Sequence, residues 1–330
     1  MSNRTWSALL LIVAMLLVAC GGGGAGSPSA PTSGATDTAT DAPTDAPTDA
    51  EEPTDMASPT DAEEPTDESP DTGGDPDDLL AQIQEAGVIR VSTDPNYAPQ
   101  SFLNPDGEFE GFDIDVATEI AERLDVEVAF ETPDFDLVQG GSWNERWDIS
   151  VGSITITEPR RDVLGFTQPY YFTPAQMAVT EESGITSLEE LAGETICMGE
   201  GTTYLDWLEG NLVLGDGSTP AEPPEGAVAS TLPTDANCAE AIQAGRTEFA
   251  AWLSSSTTIQ QAIDAGIPIV AVGDPVFFEP LAVAVDRSGP PHEELLAELD
   301  RIVGEMHEDG TLTELSEKWY DGLDLTKATE

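Results

Sequence analysis

Hydrophobic and polar positions change rhythm twice along the chain. An unbroken apolar stretch runs from Leu9 to Val18, and from Gly21 to about Pro76 apolar periodicity is lost altogether. From Asp77 onward, short apolar and β-branched runs at 88–92, 126–130, 149–154, 175–180, 195–198 and 281–285 alternate with segments of helical spacing. The short runs predict strands. The apolar face recurring through 112–124, behind an Asp suited to capping, predicts a helix. Alternation of this kind predicts mixed α/β organisation, and about 250 residues suffice for two modest lobes or one large domain.

The two N-terminal rhythms predict a location. Arg4, the apolar run and then Leu17-Val18-Ala19-Cys20 read as an export signal over residues 1–19. The run is too short to span a bilayer comfortably as a permanent helix. Its ending looks like a bacterial lipobox, in which Cys20 becomes acylated; an ordinary secretory peptide with a chance cysteine is the alternative. Acyl chains would tether the mature protein to the outer face of the cytoplasmic membrane or in the periplasm. Residues 20–76 then form the anchor and a linker of Gly, Ser, Pro, Thr, Ala, Asp and Glu in which Ala-Pro-Thr-Asp recurs at 42–45 and 46–49. With no aromatic or basic residue it has little apolar surface to offset the entropy of ordering, and it would span up to roughly 170 Å if wholly polyproline-like.

Charge and cysteines narrow the function. With 64 acidic against 11 basic residues and a net charge of −53, the chain lacks the basic footprint that nucleic-acid binding needs. So broad a field fits solubility in high salt or at a crowded surface; a cationic ligand is the narrower alternative. Cys197 lies in a strand-like run and Cys238 opens a helix-like segment, 238–245. An oxidising compartment predicts a disulfide between them, with two buried free thiols as the alternative. His292 and His307 stand apart in acidic, helix-like segments, so neither a metal site nor a Ser/His/Asp order is expected.

The most suggestive stretch is Gly152-Ser-Ile-Thr-Ile-Thr-Glu-Pro-Arg-Arg161. Arg160 can present a planar fork to a carboxylate while Ser153 and Thr155 supply hydroxyls. An arginine satisfying a neighbouring acid is the alternative.

Several separated motifs together resemble the bacterial extracellular solute-binding proteins of ABC importers, family 3 or polar amino-acid type. They are Gly87-Val-Ile-Arg-Val-Ser-Thr-Asp-Pro-Asn-Tyr-Ala-Pro99, the helix after Gly111, the stretch above, Leu164-Gly-Phe-Thr-Gln-Pro-Tyr-Tyr171, Gly199-Glu-Gly-Thr-Thr-Tyr204, Ala244-Gly-Arg246 and Glu308-Asp-Gly-Thr-Leu-Thr-Glu-Leu-Ser-Glu-Lys-Trp-Tyr320. The resemblance implies an α/β, two-lobe periplasmic-binding-protein fold of type II with a two-strand hinge. Lobe 1 would comprise 77–175 and 278–325, lobe 2 with the hinge strands 176–277, and the tail 326–330. The implied protein is a monomer without cofactor or metal that closes on a small carboxylate-bearing solute, an amino acid or analogue, and serves an ABC permease and ATPase.

Carried over residue by residue, the resemblance makes Arg160 the carboxylate clamp, with Ser153 and Thr155 on the ligand's polar head. Thr202 and Thr203 would meet the carboxylate from a helix start in lobe 2. Tyr97 and Phe135 would flank the side chain, with plain core as the alternative for Phe135. Asp94 matches an acid that reaches the far end of cationic ligands; its alternative is a turn residue before Pro95. One departure stands out: the family's ammonium-pairing aspartate falls in a segment, 249–257, that has no acid, leaving only hydroxyls such as Ser254. Either negative charge comes from elsewhere, or the ligand lacks an ammonium. Segment 140–148 is richer in aromatics and charge than the family's usual helix, so Trp143 or Arg146 is a candidate for the cleft while Trp147 packs inward. The rival readings are a dehydratase-type enzyme on the same fold and a sensor without a transporter.

Overall fold

The computed structural model describes residues 75, 77–246 and 248–328, all within one compact unit spanning 68–330. The expected signal peptide, the acylated Cys20, nearly all of the linker and the last two residues of the tail lie outside the described residues.

One eight-stranded sheet runs through the whole unit. At one end β1 (Val88–Ser92) lies parallel between β5 (Glu127–Glu131) and β6 (Ile149–Thr155). At the other end β8 (Thr195–Gly199) lies parallel between β9 (Val228–Leu232) and β10 (Ala251–Ser255). Between them run β7 (Leu164–Thr180) and β11 (Ile269–Asp286), antiparallel to each other. At 17 and 18 residues, and about 3.3 Å per residue, these two strands are roughly 55–60 Å long. Each therefore serves both ends: β11 pairs with β6, and β7 with β10. They form the two-strand connection between two lobes. A small antiparallel sheet of β2 (Asn96–Tyr97), β3 (Ser101–Leu103) and β4 (Phe109–Glu110) is separate from the main one.

Two-residue alternation decides which core each strand residue joins. Around β8, Ile196 and Met198 face a cluster with Met177, Trp207 and Leu253, whereas Cys197 faces one with Ala178, Trp252 and Ile259. The second cluster is closed by α6 (Asp235–Gln243) and α7 (Ser256–Asp264), and a disulfide between Cys197 and Cys238 ties α6 to β8. On the other lobe, Ile89, Val91 and Val283 pack against Phe112, Val116 and Ile120 of α2 (Phe112–Arg123). α1 (Leu79–Ala86), α8 (Glu293–Glu308) and α9 (Thr311–Trp319) complete that core.

Segment 140–148 is not a helix. Its left-handed residues Ser142, Asn144 and Glu145 make a tight excursion whose Ser142 and Trp143 N–H groups donate to Asp286. Trp143 and Trp147 lie against each other in a small core with Val138 and Ile154, so Trp143 does not face the cavity described below.

Candidate functional site

A cavity opens where the two lobes meet, lined by segments the topology brings there from remote parts of the chain. Asp94 and Tyr97 come from the loop after β1 and from β2. Phe135 begins α3 (Phe135–Gln139), and Gly152, Ser153 and Thr155 end β6. Arg160 belongs to the single turn α4 (Glu158–Arg161). From the other lobe come the turn into α5 (Thr203–Leu208), with Thr202 as its cap, and Thr234–Asp235 at the start of α6. Of the residues expected to bind ligand, all but Ser254 line this cavity.

Local sequence explains the position of Arg160. Thr157 caps α4 by accepting from the Arg160 N–H at 3.3 Å, and Pro159 sits in the first turn, where it lacks only an N–H that a helix start leaves free anyway. The guanidinium is buried. It donates to the carbonyls of Thr155 (3.0 Å) and Gly201 (3.1 Å) and to Gln139 Oε1 (3.3 and 3.4 Å), and it lies 5.4 Å from the centre of the Phe135 ring. Among the described residues no carboxylate lies within ion-pair distance of it; the nearby acid Glu158 pairs instead with exposed Arg161. Burial pushes the Arg160 pKa down, opposed by the fields of Asp206 and Glu279. A buried cation held only by neutral acceptors is costly, and an incoming carboxylate would relieve that cost.

Across the cavity stand two buried acids that sequence reasoning missed. Glu279, on β11, accepts from Thr203 Oγ1 (2.6 Å), Thr155 Oγ1 (2.8 Å), Tyr204 OH (2.8 Å) and Thr173 Oγ1 (3.4 Å). Hydroxyls from both lobes thus converge on one carboxylate. Asp235 accepts from the Gly199 N–H (2.8 Å) and from Ser254 Oγ (2.9 Å). Burial raises its pKa to about 7, against those two donors, with the fields of Glu279 and Asp94 adding to the rise. Its place in the first turn of α6 favours negative charge there. Reading that helix as beginning at Cys238 hid Asp235 in a loop; the signal was Thr234-Asp235, a capping residue followed by a first-turn acid. For Glu279 the signal was an acid inside the apolar run Phe277-Phe278-Glu279-Pro280-Leu281.

The hydroxyl of Ser254 is spent on Asp235, so a carboxylate from the neighbouring helix lies beside the segment that has no acid of its own. Ser153 lines the cavity but points its hydroxyl away from a ligand. It donates to Asp113 Oδ2 at 2.7 Å and meets Tyr171 OH at 2.5 Å, with Tyr170 OH donating to the other Asp113 oxygen at 2.7 Å. Burial outweighs these donors and raises the Asp113 pKa to about 7. Ser153 is held at φ +54°, a conformation few non-glycine residues adopt, which turns the backbone between Gly152 and Thr155 at the cavity wall. Asp94 is both turn residue and lining residue: its Oδ1 accepts from the Asn96 N–H at 2.8 Å, and burial raises its pKa. The Tyr97 and Tyr204 hydroxyls meet across the cavity at 3.4 Å.

Two α/β lobes joined by two long strands around a buried ionic cavity define a two-lobed solute-binding protein. The chain belongs to the bacterial extracellular solute-binding proteins, family 3, which it matches over residues 89–322. It is 28% identical to the L-cystine-binding protein TcyJ of Escherichia coli K12 over 76% of this chain and 88% of that protein. Among solved structures it is similar to the ancestral amino acid-binding protein AncCDT-1, a precursor of cyclohexadienyl dehydratase, at TM-score 0.62, 27% identity and coverage of 73% and 99% of the two chains. It is also similar to an ancestral arginine-binding protein bound to arginine, at TM-score 0.61, 26% identity and coverage of 71% and 98%. The family is extracytoplasmic, and no helix among the described residues is long and apolar enough to cross a membrane.

Proposed function

We propose that this protein captures a free α-amino acid between its lobes and delivers it to an ABC permease. The observation that carries the reading is the charge pattern of the cavity: a buried guanidinium with only neutral acceptors, and buried Asp235 and Glu279 on the same cavity. An α-amino acid presents the complementary pair, a carboxylate for Arg160 and an ammonium for the acids. Thr155, Thr202 and Thr203 complete the wall around the head group, with Tyr97 and Phe135 flanking the side chain. Asp94 and Glu200 also line the cavity, so its carboxylates outnumber its single guanidinium and favour a ligand without excess negative charge. The relatives' ligands, cystine and arginine, fall within this class.

In this reading, residues 77–175 with 278–325 and residues 176–277 are the closing bodies, Cys20 carries the lipid anchor, and the permease and its ATPase supply the energy. Binding and release suffice without a catalytic step. Titration calorimetry against the common amino acids and their deaminated analogues tests the assignment. Arg160→Ala should weaken the best ligand by about 2 kcal/mol or more, roughly 30-fold. Affinity within threefold of the native protein would show that the clamp is elsewhere. Conversion of the bound acid to a new product would replace this reading with the dehydratase one.

A further inference from the structure

The two long strands are not the only ties between the lobes. Gln100 lies in the first lobe between β2 and β3 and is fully buried. Its backbone is fixed there, because its carbonyl accepts from the Asp113 N–H at 2.8 Å, in the first turn of α2. Gly111 permits that approach: it is held at φ +133°, and a Cβ on it would run into the Gln100 carbonyl. The Gln100 side chain reaches the other lobe. Its Nε2 donates to Thr257 Oγ1 at 2.6 Å and to Ser255 Oγ at 3.1 Å, and its Oε1 accepts from Thr258 Oγ1 at 3.3 Å. Both amide hydrogens and the amide oxygen are thus engaged by hydroxyls at the cap and first turn of α7. None of these four residues lines the ligand cavity. A second set of bonds crosses between the lobes on the other flank of the connecting strands, where the Glu158 N–H donates to the Val213 carbonyl at 3.0 Å and the Gly215 N–H to the Ile156 carbonyl at 2.9 Å. The sheet order separates the two sets, since Ser255 ends β10 beside β7 whereas Ile156 follows β6 beside β11.

The seam at Gln100 is polar where the lobe cores are apolar. Amide and hydroxyl groups that part can bond water instead, so such a contact opens and closes at small cost, whereas parted apolar faces would stay exposed. We propose that Gln100 is an affinity-setting latch: it stabilises the closed arrangement of the lobes without touching the ligand, and so raises the affinity for every amino acid by the same factor. A contact made only on closure shifts the closing equilibrium, which is common to all ligands. The inference rests on the closing lobes of the reading above and adds the residue that sets how tightly they hold.

Hydrogen exchange on the purified full-length chain in detergent, with no amino acid added, tests the latch by itself. The reporters are the Glu158 and Gly215 N–H groups, which bond across the lobes on the flank away from Gln100. In Gln100→Ala their exchange should quicken at least about fivefold while the amides of β8 stay as slow as in the native protein. Calorimetry then reads binding: arginine, glutamine and histidine should each bind about tenfold more weakly, with the ratios among them kept within about threefold. Thr257→Val removes the acceptor of the shortest of the three bonds and should act in the same direction. Added to Gln100→Ala it should cost little more, because the two share one contact, and it carries the test where Gln100→Ala does not fold. Exchange at Glu158 and Gly215 that does not move, affinities that do not fall, or a selectivity that shifts with the substitution overturns the latch. Exchange that quickens as expected in a protein whose amino-acid binding does not depend on Arg160 leaves the latch standing and overturns the amino-acid reading.

Discussion

Replacing Asp235 with Asn is the sharpest probe of how the ammonium is held. The substitution keeps the shape and leaves groups able to engage Gly199 and Ser254, but it removes the charge. In the empty protein the Asp235 pKa is about 7, so below that pH the carboxyl is mostly neutral. An ammonium is attracted to the ionised form, so affinity should be greatest above pH 7 and fall as pH drops through it. At pH 6 about one Asp235 in eleven is ionised, which costs about 1.4 kcal/mol, close to tenfold, relative to the plateau above pH 8. Asp235→Asn should lose about 2 kcal/mol or more at pH 8 and flatten this slope, so that native and variant converge toward pH 5.5. Asp113, which titrates in the same range, is common to both proteins and drops out of the difference. Asp94, Glu279 and Arg160 share the cavity and are likewise unchanged. Calorimetry from pH 5.5 to 8.5 reads both quantities. A variant within threefold of native at pH 8, with the slope intact, would place the ammonium elsewhere, and Glu279 would be the next residue to test.

The same raised acids should shape the stability of the empty protein. Asp113 and Asp235 are both held near 7 when folded, against an ordinary value of 3.8. The folded state therefore keeps protons that the unfolded chain has released, and stability falls as pH rises from about 4 through 7, by up to about 4 kcal/mol per group. Denaturant melts should show this fall, and Asp113→Asn should remove part of it; stability flat between pH 5 and 8 would contradict the burial argument. Opening the Cys197–Cys238 bridge, whose sequence separation is 41 residues, should cost about 4 kcal/mol on the loop-entropy account, read by comparing the Cys197→Ser/Cys238→Ser variant in urea. An unchanged midpoint would show that α6 needs no tether. With a net charge of −53, the melting temperature should rise from low to high salt as self-repulsion is screened, and salt-independent melting would end the salt-adaptation idea.

The lobes were legible because strands buried on both faces write unmistakable apolar runs, as in 88–92 and 195–198. The connecting strands were not, since β7 and β11 are interrupted by Pro169, Pro174, Gly273 and Pro280, which read as breakers. In the folded sheet these residues sit at or beside places where the pairing of the two strands shifts register, between Val272 and Phe277 and between Leu281 and Ala282. Only the terminal pieces of β7 and β11, 175–180 and 281–285, therefore looked like strands. Glu279 was lost with them.

The same cause separates the two halves of the site. Arg160, Ser153 and Thr155 lie within one contiguous stretch, so the proposed anion end could be picked out along the chain, although their partners Gln139, Gly201, Glu279 and Asp113 come from elsewhere. In the proposed reading the cation end is assembled across the fold, by a helix start, a crossing strand and a serine that the sequence offered only as one of several neutral acceptors. Ser254 does not line the cavity but sits directly behind an acid that does. Its hydroxyl holds the Asp235 carboxylate, and the disulfide at Cys238, less than one turn along, ties down the helix that carries it. In the proposed reading, an acid on a packed helix, oriented by one backbone N–H and one hydroxyl, takes the part of an acid on the strand, because a ligand senses the position of the charge and not the element that carries it.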